Sequence, residues 1–268
     1  MDYLKAVVLA LVEGITEFLP VSSTGHMILL EDFLQLGQDP EFADAFMVII
    51  QLPAILSVLL YFWKDLWPWH GGDNKDTGET LRLWMLVGIA FIPAVILGLL
   101  LDEIMETYLF HSLPVACALI IGGIVLIMIE RRNHSHAIES IHDLTAKQAL
   151  GIGFFQCLAL IPGTSRSAAT IIGGLLLGAN RSVAAEFSFF LAIPTMLAAT
   201  CYTLMKRGLS FTGEQWILLG LGSVVSFVVA YLSIAFLMNY IKQRSFTVFG
   251  IYRIFLGALV LLYLFIMQ

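Results

Sequence analysis

The sequence predicts an all-α polytopic membrane protein made of two inverted repeats, each a re-entrant helix–loop–helix followed by three transmembrane helices. Three observations lead there. Hydrophobic residues make up 59% of the 268-residue chain and charged residues only 13%, against about 25% charged for soluble domains, and apolar segments recur along nearly the whole length. Two Ser/Thr-rich breaks headed by proline, Pro20–Gly25 and Pro162–Ser167, interrupt otherwise apolar sequence. Around them the spacing repeats. Phe46 precedes Pro53 by seven residues and Phe187 precedes Pro194 by seven, while Pro20 to Pro53 is 33 residues and Pro162 to Pro194 is 32. Three spans per half is an odd number, so the second half runs upside down relative to the first.

Taken in order, residues 1–18 and 26–36 are short apolar helices around the first break. Each is too short for a bilayer crossing, which takes about 20 residues. Irregular backbone at membrane depth is tolerated only where protein covers it or it lines a wet cavity, so this element enters the membrane and returns. Residues 43–63 read as a span that ends in the interfacial cluster Tyr61-Phe62-Trp63-Lys64. A polar loop follows over 64–82, with 71–76 as its turn-rich centre, then spans at 83–101 and 113–130 around an acidic loop holding Asp102, Glu103 and Glu106. The polar connector 131–147 separates the first repeat (1–130) from the second (148–268). The second repeat starts with the broken element 148–180 and continues with spans at 183–205, 215–238 and 247–267.

Positive charge sets the orientation. With 64–82, 131–147 and 239–246 inside, the cytoplasm receives Lys64, Lys75, Arg82, Arg131, Arg132, Lys147, Lys242 and Arg244. The outside receives Lys5 and the two misfits Lys206 and Arg207, and both termini are external. No small-x-small cleavage pattern marks a signal peptide near the start. Cys117, Cys157 and Cys201 each lie alone in apolar sequence and read as buried thiols rather than a disulfide or metal set. A net charge of −6 leaves no nucleic-acid footprint.

The chemistry concentrates at the two breaks. An ionisable group in hydrocarbon costs about 2.5–3.5 kcal/mol on insertion scales, so it persists there for a partner or a task. Glu13 and Glu17 are four apart and share a helix face. Two like charges so close conflict, and a divalent cation (Mg²⁺ or Ca²⁺) held by both carboxylates resolves the conflict. Ser22, Ser23 and Thr24 stand at the start of the next helix, where unpaired N–H groups favour an anion and one hydroxyl serves as N-cap. His26, on the first turn, is placed to exchange a proton with a neighbouring hydroxyl. Ser23 is the favoured nucleophile with His26 as its base; direct attack by His26 or by an activated water are the alternatives. Ser165, Arg166 and Ser167 form the second break; a guanidinium at membrane depth calls for a carboxylate or a phosphate, its fork matches phosphate oxygens, and it is expected to be unpaired without substrate. If the breaks meet, they form a membrane-embedded site for a phosphate or pyrophosphate group. Gln51, Arg253 and Glu186 are second-tier candidates, Glu186 and Arg253 equally readable as structural ion pairs, the former beside Arg181. His70, His111, His134, His136 and His142 fall in polar loops and read as solvated.

The run Glu13-Gly14-x-Thr16-Glu17-Phe18-Leu19-Pro20-Val21-Ser22-Ser23-Thr24-Gly25-His26, with Pro162-Gly163-x-Ser165-Arg166-Ser167, resembles the undecaprenyl-diphosphate phosphatase family of the bacitracin-resistance type. The likeness extends to Phe187–Pro194 and to Tyr252-Arg253. It implies hydrolysis of the terminal phosphate of a C55 polyprenyl diphosphate at the outer face of the bacterial cytoplasmic membrane, which recycles the lipid carrier for peptidoglycan synthesis. It also implies the two-repeat fold, homodimers, an acidic pair at Glu13 and Glu17, a Ser-Thr-His set at Ser23, Thr24 and His26, and phosphate binding by Ser165 and Arg166. Ala168 and Pro53 depart from the family pattern, each standing where glycine is usual. A transporter would share the architecture but needs no nucleophile beside a base. A lipid-binding scaffold would not need the acids, and the histidine-based membrane phosphatases use more than one histidine at depth.

Overall fold

The computed structural model describes residues 2–31, 34, 36, 39–67, 77–109, 111–132, 137–207 and 211–267. His70, His134, His136 and the turn-rich centre at 71–76 lie outside the described residues. Among the described residues the structure is helical, apart from a single bridge between Ile138 and Ala179. Six segments among the described residues are long and apolar enough to cross a membrane: Glu41–Tyr61, Thr77–Leu101, Ser112–Arg131, Arg181–Lys206, Gly213–Ile241 and Thr247–Ile266. They coincide with the six expected spans, and the chain is a multi-pass membrane protein.

The first break lies between α1 (Asp2–Thr16) and α2 (Ser23–Glu31). The first crossing is split into α3 (Pro40–Ile49) and α4 (Gln51–Tyr61). Pro53 accounts for the split, since it has no N–H to return to the preceding turn. Neighbouring helices donate to carbonyls beside the split: Ser226 to Ile50 O at 2.9 Å and Thr200 to Val48 O at 3.4 Å. A single turn, α5 (Trp63–Leu66), leads toward α6 (Thr77–Tyr108) and α7 (Ser112–Arg131). Asp102, Glu103 and Glu106 thus belong to the end of α6 and not to a loop, because a helix can continue past the apolar stretch that hydropathy detects. The second half holds α8 (Ala146–Gln156), α9 (Arg166–Leu176), α10 (Arg181–Arg207), α11 (Gly213–Ile241) and α12 (Thr247–Met267).

The halves pack into each other and not side by side. α1 lies on α11 while α8 lies on α6; α4 meets α11 while α10 meets α6; α2 touches α12 while α9 touches α7; and α7 and α12 form the most extensive pair. Each of these contacts between the halves has its counterpart. An aromatic group joins the first break to α10, with Phe18 edge-on to Phe189 (5.5 Å) and Phe62 edge-on to Phe190 (5.0 Å). The cysteines are free, but Cys117 and Cys201 are exposed on the helix surface rather than buried. An apolar span offers lipid-facing positions that a thiol occupies without cost.

Candidate active site

Both breaks end in the same local device. At the first, Pro20 stops the chain from continuing helically, Ser22 takes φ 74°, and its Oγ accepts from Gly25 N at 3.3 Å to cap α2. At the second, Ser165 takes φ 68° and its Oγ accepts from Ala168 N at 3.2 Å to cap α9. A left-handed conformation at a non-glycine residue is uncommon and clusters at functional sites. Matching the caps aligns Ser22 with Ser165, which differs by one residue from the Pro20–Pro162 match, since the second loop is one residue longer. In this register Ser23 and Arg166 are the first helical residues of α2 and α9.

The structure brings these two residues together on one carboxylate. Ser23 Oγ donates to Glu17 Oε2 at 2.8 Å, and Arg166 Nη2 donates to Glu17 Oε1 at 3.0 Å. Glu17 and Arg166 are 9% and 11% exposed, so water screens the pair little. Arg166 is therefore ion-paired before any substrate arrives, contrary to the expectation of an unpartnered cation. The rest of its guanidinium is held by Ser188 O (3.0 Å) and Met196 Sδ (3.4 Å) and stands over the Phe18 ring, while its buried Nε has no hydrogen-bond partner. Ser167 Oγ donates to Leu19 O at 3.0 Å and lies 3.1 Å from Ser165 Oγ, tying the second break to the first. Thr24 is half-buried on the first turn of α2.

His26 faces elsewhere. Its Nδ1 lies 2.7 Å from Ser22 O and its Nε2 lies 2.6 Å from the Tyr252 hydroxyl, with the two rings stacked at 11°. A carbonyl only accepts, so Nδ1 carries the proton and the neutral ring accepts from Tyr252 at Nε2. The hydroxyl of Ser23 is thus given to Glu17 and not to His26. Nothing in the sequence marked Tyr252 for this contact beyond its place beside Arg253 in the last span.

Glu13 is buried, and its neighbours include the Glu17 carboxyl and the Gln51 amide. Its Oε1 has no hydrogen-bond partner. An orphaned carboxylate oxygen beside a second carboxylate suits a hard divalent cation. Among the described residues no group of three or more His, Cys, Asp or Glu comes together. A cation here would take the rest of its oxygens from water and substrate, as Mg²⁺ commonly does.

Of the other second-tier candidates, Gln51 joins the site through Glu13. Glu186 does not pair with Arg181, whose guanidinium forms a two-pronged bridge to Glu130 with a shortest contact of 2.7 Å. Glu130 lies at the end of α7 and also accepts from Phe246 N at 2.9 Å, so it closes the far end of the bundle. Arg253 is fully buried, and among the described residues it forms no ion pair and bonds main-chain carbonyls alone.

The family model for "Bacitracin resistance protein BacA" matches residues 6–259. The chain belongs to this family. Among its BacA-family relatives, "Undecaprenyl-diphosphatase 1" of Clostridioides difficile is 52% identical over 100% of this chain and 98% of its own length. "Undecaprenyl-diphosphatase" of Limosilactobacillus fermentum is 49% identical, with 98% of each chain covered. That of Enterococcus faecalis is 46% identical over 98% of this chain and 97% of its own. Such coverage spans both breaks and the Tyr252-Arg253 end of the site.

Proposed function

We propose that this chain hydrolyses undecaprenyl diphosphate to undecaprenyl phosphate and inorganic phosphate, the activity that recycles the lipid carrier of peptidoglycan synthesis and underlies bacitracin resistance. The observation that carries this reading is the chain Ser23–Glu17–Arg166, assembled at two helix N-termini in a family whose relatives are named undecaprenyl-diphosphatases.

Ser23 Oγ attacks the terminal phosphorus while Glu17 Oε2 takes its proton. The Oγ–P bond forms as the bond from that phosphorus to the bridging oxygen breaks, and undecaprenyl phosphate leaves with the electron pair. Water then attacks the phosphoserine, the P–Oγ bond breaks, and the proton returns from Glu17 to Ser23. Arg166, with the N–H groups of α2 and α9 and the hydroxyls of Thr24, Ser165 and Ser167, compensates the charge on the phosphoryl oxygens. Glu13 and Glu17 would hold a divalent cation (Mg²⁺ or Ca²⁺), which when bound draws charge from the phosphate oxygens. His26, oriented by Ser22 and Tyr252, orders the α2 N-terminus beside the nucleophile.

The finer architecture is part of the same reading. Matching caps, reciprocal packing and an odd number of crossings per half support two inverted repeats whose broken elements enter from opposite faces and meet near the midplane. The Lys/Arg distribution supports a site open to the external side of the bacterial cytoplasmic membrane. A homodimer, which the family resemblance implies, completes the proposal. The test is phosphate release from a C55 polyprenyl diphosphate by purified protein, with and without chelator, and with Glu17→Gln as control. Release by the wild type that stops with Glu17→Gln supports the reading; no release at any divalent cation concentration overturns it.

A further inference from the structure

Arg253 is a fully buried cation whose bonded partners carry no charge. An arginine at membrane depth is costly, and one satisfied by carbonyls alone stays for what those carbonyls do. Here they come from three separate places. Nη1 reaches Pro20 O in the first break at 3.5 Å and Nη2 reaches Gly163 O in the second at 3.1 Å. Nη2 and Nε also hold Ala118 O (3.3 Å) and Leu119 O (3.4 Å) on α7. Pro20 is two residues before the cap of α2 and Gly163 two before the cap of α9.

The surroundings are shaped for this side chain. A Cβ on Gly122 would overlap Arg253 Nη2, and one on Gly123 would lie 2.6 Å from Gly250 O. α7 and α12 thus approach closely enough for the guanidinium to pass between them to both loops. We infer that Arg253 is a positioning residue for hydrolysis: one fork grips both breaks and thereby sets the spacing between Ser23 and Arg166 without touching substrate. This rests on the hydrolase reading of the same site. A lysine has one short point charge and cannot span both loops.

The test compares wild type, Arg253→Lys and Gly122→Ala, the last keeping the arginine but crowding its head. Hydrogen exchange in detergent is followed over 17–25, 161–168 and, as a control, 181–190. Both breaks are expected to exchange faster in both variants while the control stays unchanged. In turnover, Arg253→Lys is expected to lower kcat about 100-fold, the scale of a 1 Å misplacement, with KM changed less than about threefold. In an Arg166→Lys background the same substitution is expected to cost less than about tenfold, because residues acting on one geometry are non-additive. Unchanged exchange at either break, faster exchange in the control as well, or fully additive kcat losses would overturn the assignment. Should purified wild type release no phosphate, the hydrolase reading fails, and the exchange pattern alone decides whether Arg253 couples the breaks.

Discussion

Glu17 holds the candidate nucleophile on one oxygen and the candidate phosphate clamp on the other, so a single carboxylate bridges them. Glu17→Gln keeps the shape but removes the proton acceptor, and turnover should fall at least about 100-fold, the scale of losing one electrostatic stabiliser; phosphate release measures it. Arg166→Lys keeps the charge and loses the fork, so turnover should fall comparably in a protein that still folds. Arg166→Ala should also lower Tm, since it strands Glu17 in a buried setting. The hydroxyl of Tyr252 can be removed alone. Tyr252→Phe keeps the ring stack, and it should reproduce most of the kcat loss of His26→Ala if the hydroxyl orients the imidazole. A wild-type rate in Tyr252→Phe beside a large loss in His26→Ala would assign the orientation to Ser22 alone. The charged members of this site were legible in the sequence because ionised groups in apolar runs are expensive. Their partners were not. That Arg166 is paired at rest depends on a contact 149 residues away in the chain, and that Ser23 turns to Glu17 rather than His26 depends on the path of the loop between them; residue spacing carries neither.

At the scale of elements, the left-handed serine caps aim both helix N-termini into one place, and glycine is needed where the second loop squeezes past α7. Gly163 has φ 88°, and a Cβ there would lie 2.5 Å from Val115 O. Gly163→Ala should therefore lower Tm and turnover together, whereas Gly88→Ala, with open space around its position on α6, should leave both near wild type or raise Tm slightly. Thermal unfolding in detergent separates the two. The six crossings could be read from hydropathy alone, and their ends fell within about three residues of expectation except at α6, which starts at Thr77, inside the expected loop 64–82. The end of α6 could not, because hydropathy reports where lipid stops and not where a helix stops. The cap register was also out of reach: proline is the visible marker in both loops, yet the serine two or three residues later is what the fold aligns.

Over the whole molecule, the two halves exchange partners rather than stand apart, and orientation follows from charge. With Cys117, Cys157 and Cys201 replaced, a cysteine at Ser112 should react with an impermeant thiol reagent in intact cells, while one at Ala137 should react only after the membrane is opened; the reverse pattern would invert the assigned sidedness. The exchange of partners also bears on how the protein is made. α1 rests on α11, which begins at Gly213, and Glu17 is ion-paired by Arg166. A ribosome completes the first half long before either exists. The nascent amino-terminal segment therefore carries two acids before its main packing partner exists, and it is expected to wait at the bilayer surface or with the insertion machinery until the last crossings emerge. A chain truncated before α11 should consequently be degraded rather than accumulate as a half-molecule, and separately encoded halves should be recovered only when both are synthesised together.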